Sequence, residues 1–192
     1  MNGSRGPFRC EQALALLLCL AASPIRAEEP DIDGSRDAAG SVAGSSAYDL
    51  DLARRVALDK LKRPGCRSLF ADLRDARGTT LEEVLRGESG NVTEHLLRLS
   101  YRDGGSDTTC AGGVAAFTRP GSLVVFLCLS RFQELVRRDP FRAGNVLIHE
   151  ELHTLGFPEA QRVAEPWELA RIENPPMTSS QINDLVASRC GR

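Results

Sequence analysis

The chain predicts an α+β domain, and three observations point there. Helical periodicity marks both ends of the region that can fold, a hairpin signature lies between them, and the length allows only one core. At 192 residues, 42% hydrophobic and 26% charged, the chain suits one globular domain with appendages and is too short for two ordinary ones. Lysine and arginine total 24 against 26 acidic residues, a formal net charge of -2. That balance lacks the basic surplus of a nucleic-acid binder, so no nucleic-acid partner is expected.

The N-terminal segment reads as an address. Arg5 and Arg9 precede an uninterrupted apolar run from Ala13 to Ala22, which Ser23 and Pro24 close. This is the layout of a secretory signal peptide, and the run is about half of the ~20 residues a membrane span needs. Residues 1–27 are assigned to it, with small residues fitting cleavage after either Ala22 or Ala27. No stable membrane span is expected, and the destination is secreted or periplasmic. Residues 28–46, rich in Gly, Ser, Ala and acid, read as a flexible leader. The remainder, 47–192, carries 20 positive and 20 negative side chains. Bulk charge therefore does not choose its partners, and a site must.

Within 47–192 the elements follow in order. Leu50, Leu52, Val56, Leu58 and Leu61 recur at helical spacing over Tyr48–Lys62, and Pro64-Gly65 ends that helix. Thr79 or Thr80 can cap a short helix through Leu85 that Gly87 stops. His95, Leu97, Leu99 and Tyr101 alternate with more polar neighbours, as a half-buried strand does, until Asp103-Gly104-Gly105. Apolar runs on either side of Arg119-Pro120-Gly121-Ser122 spell a hairpin, with Leu123–Leu129 as its second strand. Arg131–Arg138 and Arg142–Leu155 read as helices divided by Asp139-Pro140, and a last helix starts at Ser179 or Ser180.

Cys10 and Cys19 leave with the signal, which keeps Cys66, Cys110, Cys128 and Cys190. An even set in an exported chain reads as two disulfides. If Phe117 faces Gly121 across the turn, Cys110 falls opposite Cys128. The favoured pairing is then Cys110 with Cys128 and Cys66 with Cys190. No Cys-x-x-Cys pair suggests a metal cluster of thiolates.

Chemistry is concentrated in Asn145–Gly156, which contains His149-Glu150-Glu151-Leu152-His153 on a predicted helix. At about 100° per residue, His149 and His153 lie about 40° apart on one face and one turn apart, so both imidazoles can reach one metal ion. Glu150 lies about 60° from His153, on the flank of that face, where a general base belongs. Glu151 lies about 160° from both histidines and cannot join them. Ile148, Leu152 and Leu155 form a second, apolar stripe that anchors the helix in a core. Gly156 can end the helix in a left-handed turn that leads through Phe157-Pro158 to Glu159. His95 reads as an ordinary buried histidine. Tyr48, Tyr101 and several arginines are candidate oxyanion stabilisers, and spacing selects none of them.

The full string, His-Glu-x-x-His-x-x-Gly-x-x-Glu over His149–Glu159, resembles the metzincin-like pattern of the zincin metallopeptidases. The resemblance implies a small zincin-like domain whose mixed sheet flanks a central active-site helix. It implies Zn²⁺ as cofactor, held by His149, His153 and Glu159, with Glu150 as catalytic base in the hydrolysis of a peptide or protein substrate. Metzincins usually place His or Asp where Glu159 stands. Other zincins take a glutamate from a later helix, and Glu165, Glu168 and Glu173 follow His153, so Glu173 is an alternative third ligand. Metzincins also set a methionine turn beneath the metal, a part Met177 in Pro175-Pro176-Met177-Thr178 can take; the alternative is an ordinary loop methionine. The other reading of the chain is a zincin-fold binding or structural protein of the cell envelope without turnover.

Overall fold

The computed structural model describes residues 41–160 and 176–191, within which eight helices and three short strands follow one another. They are α1 (Ser45–Leu61), α2 (Pro64–Asp72), α3 (Leu81–Glu88), α4 (Val92–Arg98), β1 (Ser100–Asp103) and α5 (Thr108–Ala111). Then come β2 (Ala116–Thr118), β3 (Val124–Leu127), α6 (Leu129–Arg138), α7 (Pro140–Thr154) and α8 (Ser179–Cys190). The α+β class and the mixed sheet are as expected: β3 is central, parallel to β1 and antiparallel to β2. No helix of the described residues is long and apolar enough to cross a membrane. The expected signal peptide, 1–27, lies outside the described residues. So does most of the leader, but its end is structured: Ser41 bridges to Arg102 and α1 begins at Ser45.

The helix α7 is the axis on which the rest is assembled, packing against α1, α4, α6, α8 and β2. Its start is set by Asp139, whose side chain accepts from the Arg142 amide, and by Pro140 in the first turn. From Ala143 to Thr154 every residue but the half-buried Val146 is buried, so the helix carries its polar motif into the interior. Gly144 permits the closest crossing: a Cβ there would meet Val56 Cγ1 at 2.7 Å and the Ala57 backbone nitrogen at 3.1 Å. Ala53 and Ala57, both fully buried on α1, complete that small-residue contact.

Three local expectations are corrected. His95 and Leu97 of that alternation belong to a helix: Asn91 caps α4 by accepting from the Glu94 amide, and Val92, His95 and Leu96 are buried at helical spacing. Leu97 is left 52% exposed, and the strand begins only at Ser100. Pro64, expected as a stop, is also a start, because it occupies the first turn of α2. The hairpin register differs as well: Phe117 faces Phe126 rather than Gly121. The turn is longer than two closing residues allow. Ser122 donates to Arg119 to close it, while the Gly121 amide is diverted to the His153 carbonyl at 3.0 Å.

Both disulfides form as paired, although that register places Ala115, not Cys110, opposite Cys128. Cys110 instead lies on the short α5 and reaches Cys128 at the start of α6. Cys66–Cys190 joins α2 to the end of α8. Two cations reinforce that corner: Arg63 donates to the Cys190 carbonyl at 2.8 Å, and buried Lys60 donates to Gly191 O and, at 2.8 Å, to Asn145 Oδ1. The last described turn of the chain is thus bound to α1, α2 and α7 together.

Sequence separation ranks the two cross-links. Cys66–Cys190 spans 124 residues and Cys110–Cys128 spans 18, which corresponds to about 5 and about 3 kcal/mol of lost unfolded-state entropy. Replacing Cys66 and Cys190 by serine should therefore destabilise the fold more than replacing Cys110 and Cys128, as urea unfolding of the two double variants will show.

Candidate metal centre

Local chain chemistry builds the site in two strokes. The α7 helix supplies His149 and His153 one turn apart, both about 5% exposed, with Nε2 atoms 3.0 Å from each other. At its end the backbone turns through Gly156, whose φ of 89° lies in the left-handed region that a side chain disfavours. The Gly156 amide donates to the His153 carbonyl at 2.9 Å and the Phe157 amide to the Leu152 carbonyl at 3.1 Å. These are the paired bonds of a Schellman motif, with the apolar Phe157 and Leu152 at its flanks. The Ala76 amide, donating to the Gly156 carbonyl, holds the turn from outside.

That turn does two things for His153. It brings the Phe157 carbonyl to 2.9 Å from Nδ1, and it returns the chain so that Glu159 Oε2 lies 3.1 Å from His153 Nε2 and 4.0 Å from His149 Nε2. Glu159 is then fixed by a parallel bridge to Met177, with the Ala160 amide donating to the Met177 carbonyl at 2.9 Å. Met177 thus neighbours the third candidate ligand through the backbone, and its half-buried side chain packs on the core. Glu165, Glu168 and Glu173 lie outside the described residues.

The outer ring nitrogens decide what the inner ones offer. A carbonyl only accepts, so His153 Nδ1 carries a proton toward Phe157 O. His149 Nδ1 lies 2.9 Å from Asn183 Oδ1 on α8, the same arrangement. With both Nδ1 atoms as donors, both Nε2 lone pairs point into one space with a carboxylate oxygen. Three electron-pair donors this close repel unless positive charge lies among them. Their electrostatics agree: burial lowers the His153 pKa, but the Glu159 carboxylate and the Phe157 carbonyl outweigh it and raise the net value. Burial raises that of Glu159, yet the neighbouring His149 and His153 imidazoles hold the carboxyl far below the usual carboxylate range.

The geometry suits a metal ion. Tetrahedral zinc with ligands near 2.0–2.1 Å separates its donors by about 3.3 Å. The three observed separations, 3.0, 3.1 and 4.0 Å, bracket that edge. Among the described residues, His149, His153 and Glu159 are the group of such side chains whose ligand atoms come together, all within 4.8 Å.

Glu150 and Glu151 part company as their helical angles require. Glu150 lies in the wall of a cleft of about 870 Å³ together with His149, and its Oε2 is buried without a hydrogen-bond partner among the described residues. Burial raises its pKa, opposed by His149 and His153 and assisted by Glu159. Glu151 is completely buried away from the metal group, and burial raises its carboxyl well above the ordinary range. His95 is no ligand either: its Nε2 bonds Thr154 Oγ1 at 2.9 Å and its Nδ1 faces Ser89 Oγ at 3.3 Å. Tyr48 and Tyr101 do not line the cleft, whereas Arg131, Arg138 and Arg142 do.

The residue sequence reading missed is Asn183, 34 positions from His149 and on a different helix. Its only advance signal is its place on the predicted C-terminal helix. Comparison of the chain with known protein families, with characterised proteins and with solved structures finds no match.

Zinc binding by the purified protein and its variants tests this group. His149→Ala and His153→Ala should each abolish stoichiometric binding in elemental analysis, and Glu159→Ala should weaken it at least tenfold in chelator competition. Glu173→Ala should leave it unchanged; loss in that variant alone would transfer the third ligand to Glu173. Gly156→Ala, which forces a Cβ into the left-handed region at about 1–2 kcal/mol, should lower both the thermal midpoint and the zinc affinity, because the turn aims Glu159.

Proposed function

We propose that the protein is an exported zinc-dependent peptidase with a zincin-like domain. The observation that carries this reading is Glu150: a buried carboxylate with an oxygen that has no partner among the described residues, in a cleft wall beside a group of two imidazoles and a carboxylate that can hold a metal ion. Imidazole and carboxylate donors suit zinc, and three protein ligands leave a coordination position open. Bound there, zinc would supply Lewis acidity, making a water molecule more acidic and a carbonyl more electrophilic.

The chain's own groups supply the proton traffic and the geometry. Glu150 accepts a proton from the attacking water as its oxygen bonds the scissile carbonyl carbon. The same carboxyl then delivers that proton to the amide nitrogen as the C–N bond breaks, so base and acid are one group. Its raised pKa moves it toward neutrality, where a group that must both take and give a proton works best. The Nδ1 partners of His149 and His153 hold the rings in the orientation the metal requires. The two disulfides and the lack of a membrane-spanning helix among the described residues are compatible with export.

The competing reading is a zinc-holding binding or structural protein that lacks turnover. The two diverge on a peptide-library digest by the zinc-loaded protein. Cleavage that a chelator stops and zinc restores supports the peptidase. Glu150→Gln should keep stoichiometric zinc and lose turnover by about 10²–10⁴-fold. Full zinc occupancy with no cleavage by the wild-type protein would favour the binding role.

A further inference from the structure

Asn183 is engaged at one end of its amide only. Its Oδ1 faces His149 Nδ1 at 2.9 Å, its Nδ2 has no hydrogen-bond partner among the described residues, and the side chain lines the same cleft as His149 and Glu150. The helix that presents it is unusually well secured. Thr178 and Gln181 form a capping box at its start, buried Ile182 and Val186 pack its inner face, and Cys190 is bonded to Cys66. Arg63 and Lys60 hold the carbonyls of Cys190 and Gly191 at its end. An exposed asparagine on so fixed a helix is preorganised, and preorganised donors hold a ligand without losing entropy on binding.

We propose that Asn183 is a positioning residue that acts through both ends of its amide: Oδ1 fixes the tautomer and ring orientation of His149, and Nδ2 donates to a backbone carbonyl of an extended peptide in the cleft. The second half rests on the peptidase reading; the first does not. A peptide occupying the cleft along Asn145, Val146 and His149 comes within reach of this amide, because Asn183 lines the same cleft. Peptide carbonyls recur at fixed spacing whatever the side chains, so such a donor sets the register of a peptide rather than its side-chain preference.

Two substitutions separate the two ends. Asn183→Asp keeps an acceptor for His149 and loses the donor; Asn183→Ala loses both. Long-range ¹⁵N–¹H spectra of the metal-free, full-length secreted protein read the His149 tautomer directly. They should show a proton on Nδ1 in the wild type and in Asn183→Asp, and a tautomer mixture in Asn183→Ala. Chelator competition with zinc should show affinity reduced about 10–100-fold in Asn183→Ala and equal or tighter in Asn183→Asp. On a fluorogenic peptide pool at saturating zinc, Asn183→Asp should raise KM about tenfold with little change in kcat, as loss of one uniform binding contact does. An unchanged His149 tautomer and zinc affinity in Asn183→Ala would overturn the first half. A wild-type KM in Asn183→Asp would overturn the second. Failure of the wild type to bind zinc or cleave peptides would remove the peptidase reading, while the tautomer spectra would still decide the contact to His149.

Discussion

Two imidazole nitrogens held 3.0 Å apart in a protein interior, with a carboxylate oxygen 3.1 Å from one of them, repel unless positive charge joins them. Much of the described structure serves to keep those three atoms together. The helix places the histidines, and the Schellman turn at Gly156 doubles the chain back to add Glu159 and to occupy His153 Nδ1. A separate helix occupies His149 Nδ1. Each contact removes freedom from one ring or carboxylate, so the electron pairs have one place to point. The constraint also explains why α7 is so deeply buried, since a helix carrying two imidazoles and two carboxylates inward must be held by everything around it.

That holding is distributed over distant parts of the chain. Gly144 and Ala57 let α1 approach α7 closely enough to cover its N-terminal half. The hairpin turn spends one amide, that of Gly121, on the His153 carbonyl, and its strands lengthen the loop to allow it. The Cys66–Cys190 cross-link, with Lys60 and Arg63, binds the end of α8 to the N-terminal helices, and α8 carries Asn183. Stability and site geometry are therefore supported by the same contacts. A chain with four structural cysteines and so compact a core gains most where a cross-link closes a long loop.

The two adjacent glutamates show how one residue of helical rotation separates roles. Glu150 opens on the cleft beside His149, whereas Glu151 does not line that cleft and is fully buried. Among the described residues neither finds a partner for every oxygen. For Glu150 an oxygen without a partner among the described residues, in a cleft wall, is compatible with the proton transfer proposed for it. For Glu151 no partner among the described residues explains the burial.

The motif, its helix and the division between Glu150 and Glu151 were legible in the sequence because they depend on local geometry: a fixed rotation per residue sets which side chains share a face. The glycine turn was legible for the same reason, and with it Glu159, three residues on. The cysteine pairing was found through chain topology, although the register used to argue it was not the one adopted; Gly121 had a tertiary use for its amide that no local rule contains. The misread alternation at His95–Leu99 has a similar cause, for period-2 and period-3.6 patterns overlap over so few residues, and only the Asn91 cap and the burial of Val92 and Leu96 separate them. Asn183 was decided by tertiary structure alone. Its partner is 34 residues away on another helix, and contacts between helices follow from how their faces pack, which spacing along the chain does not encode.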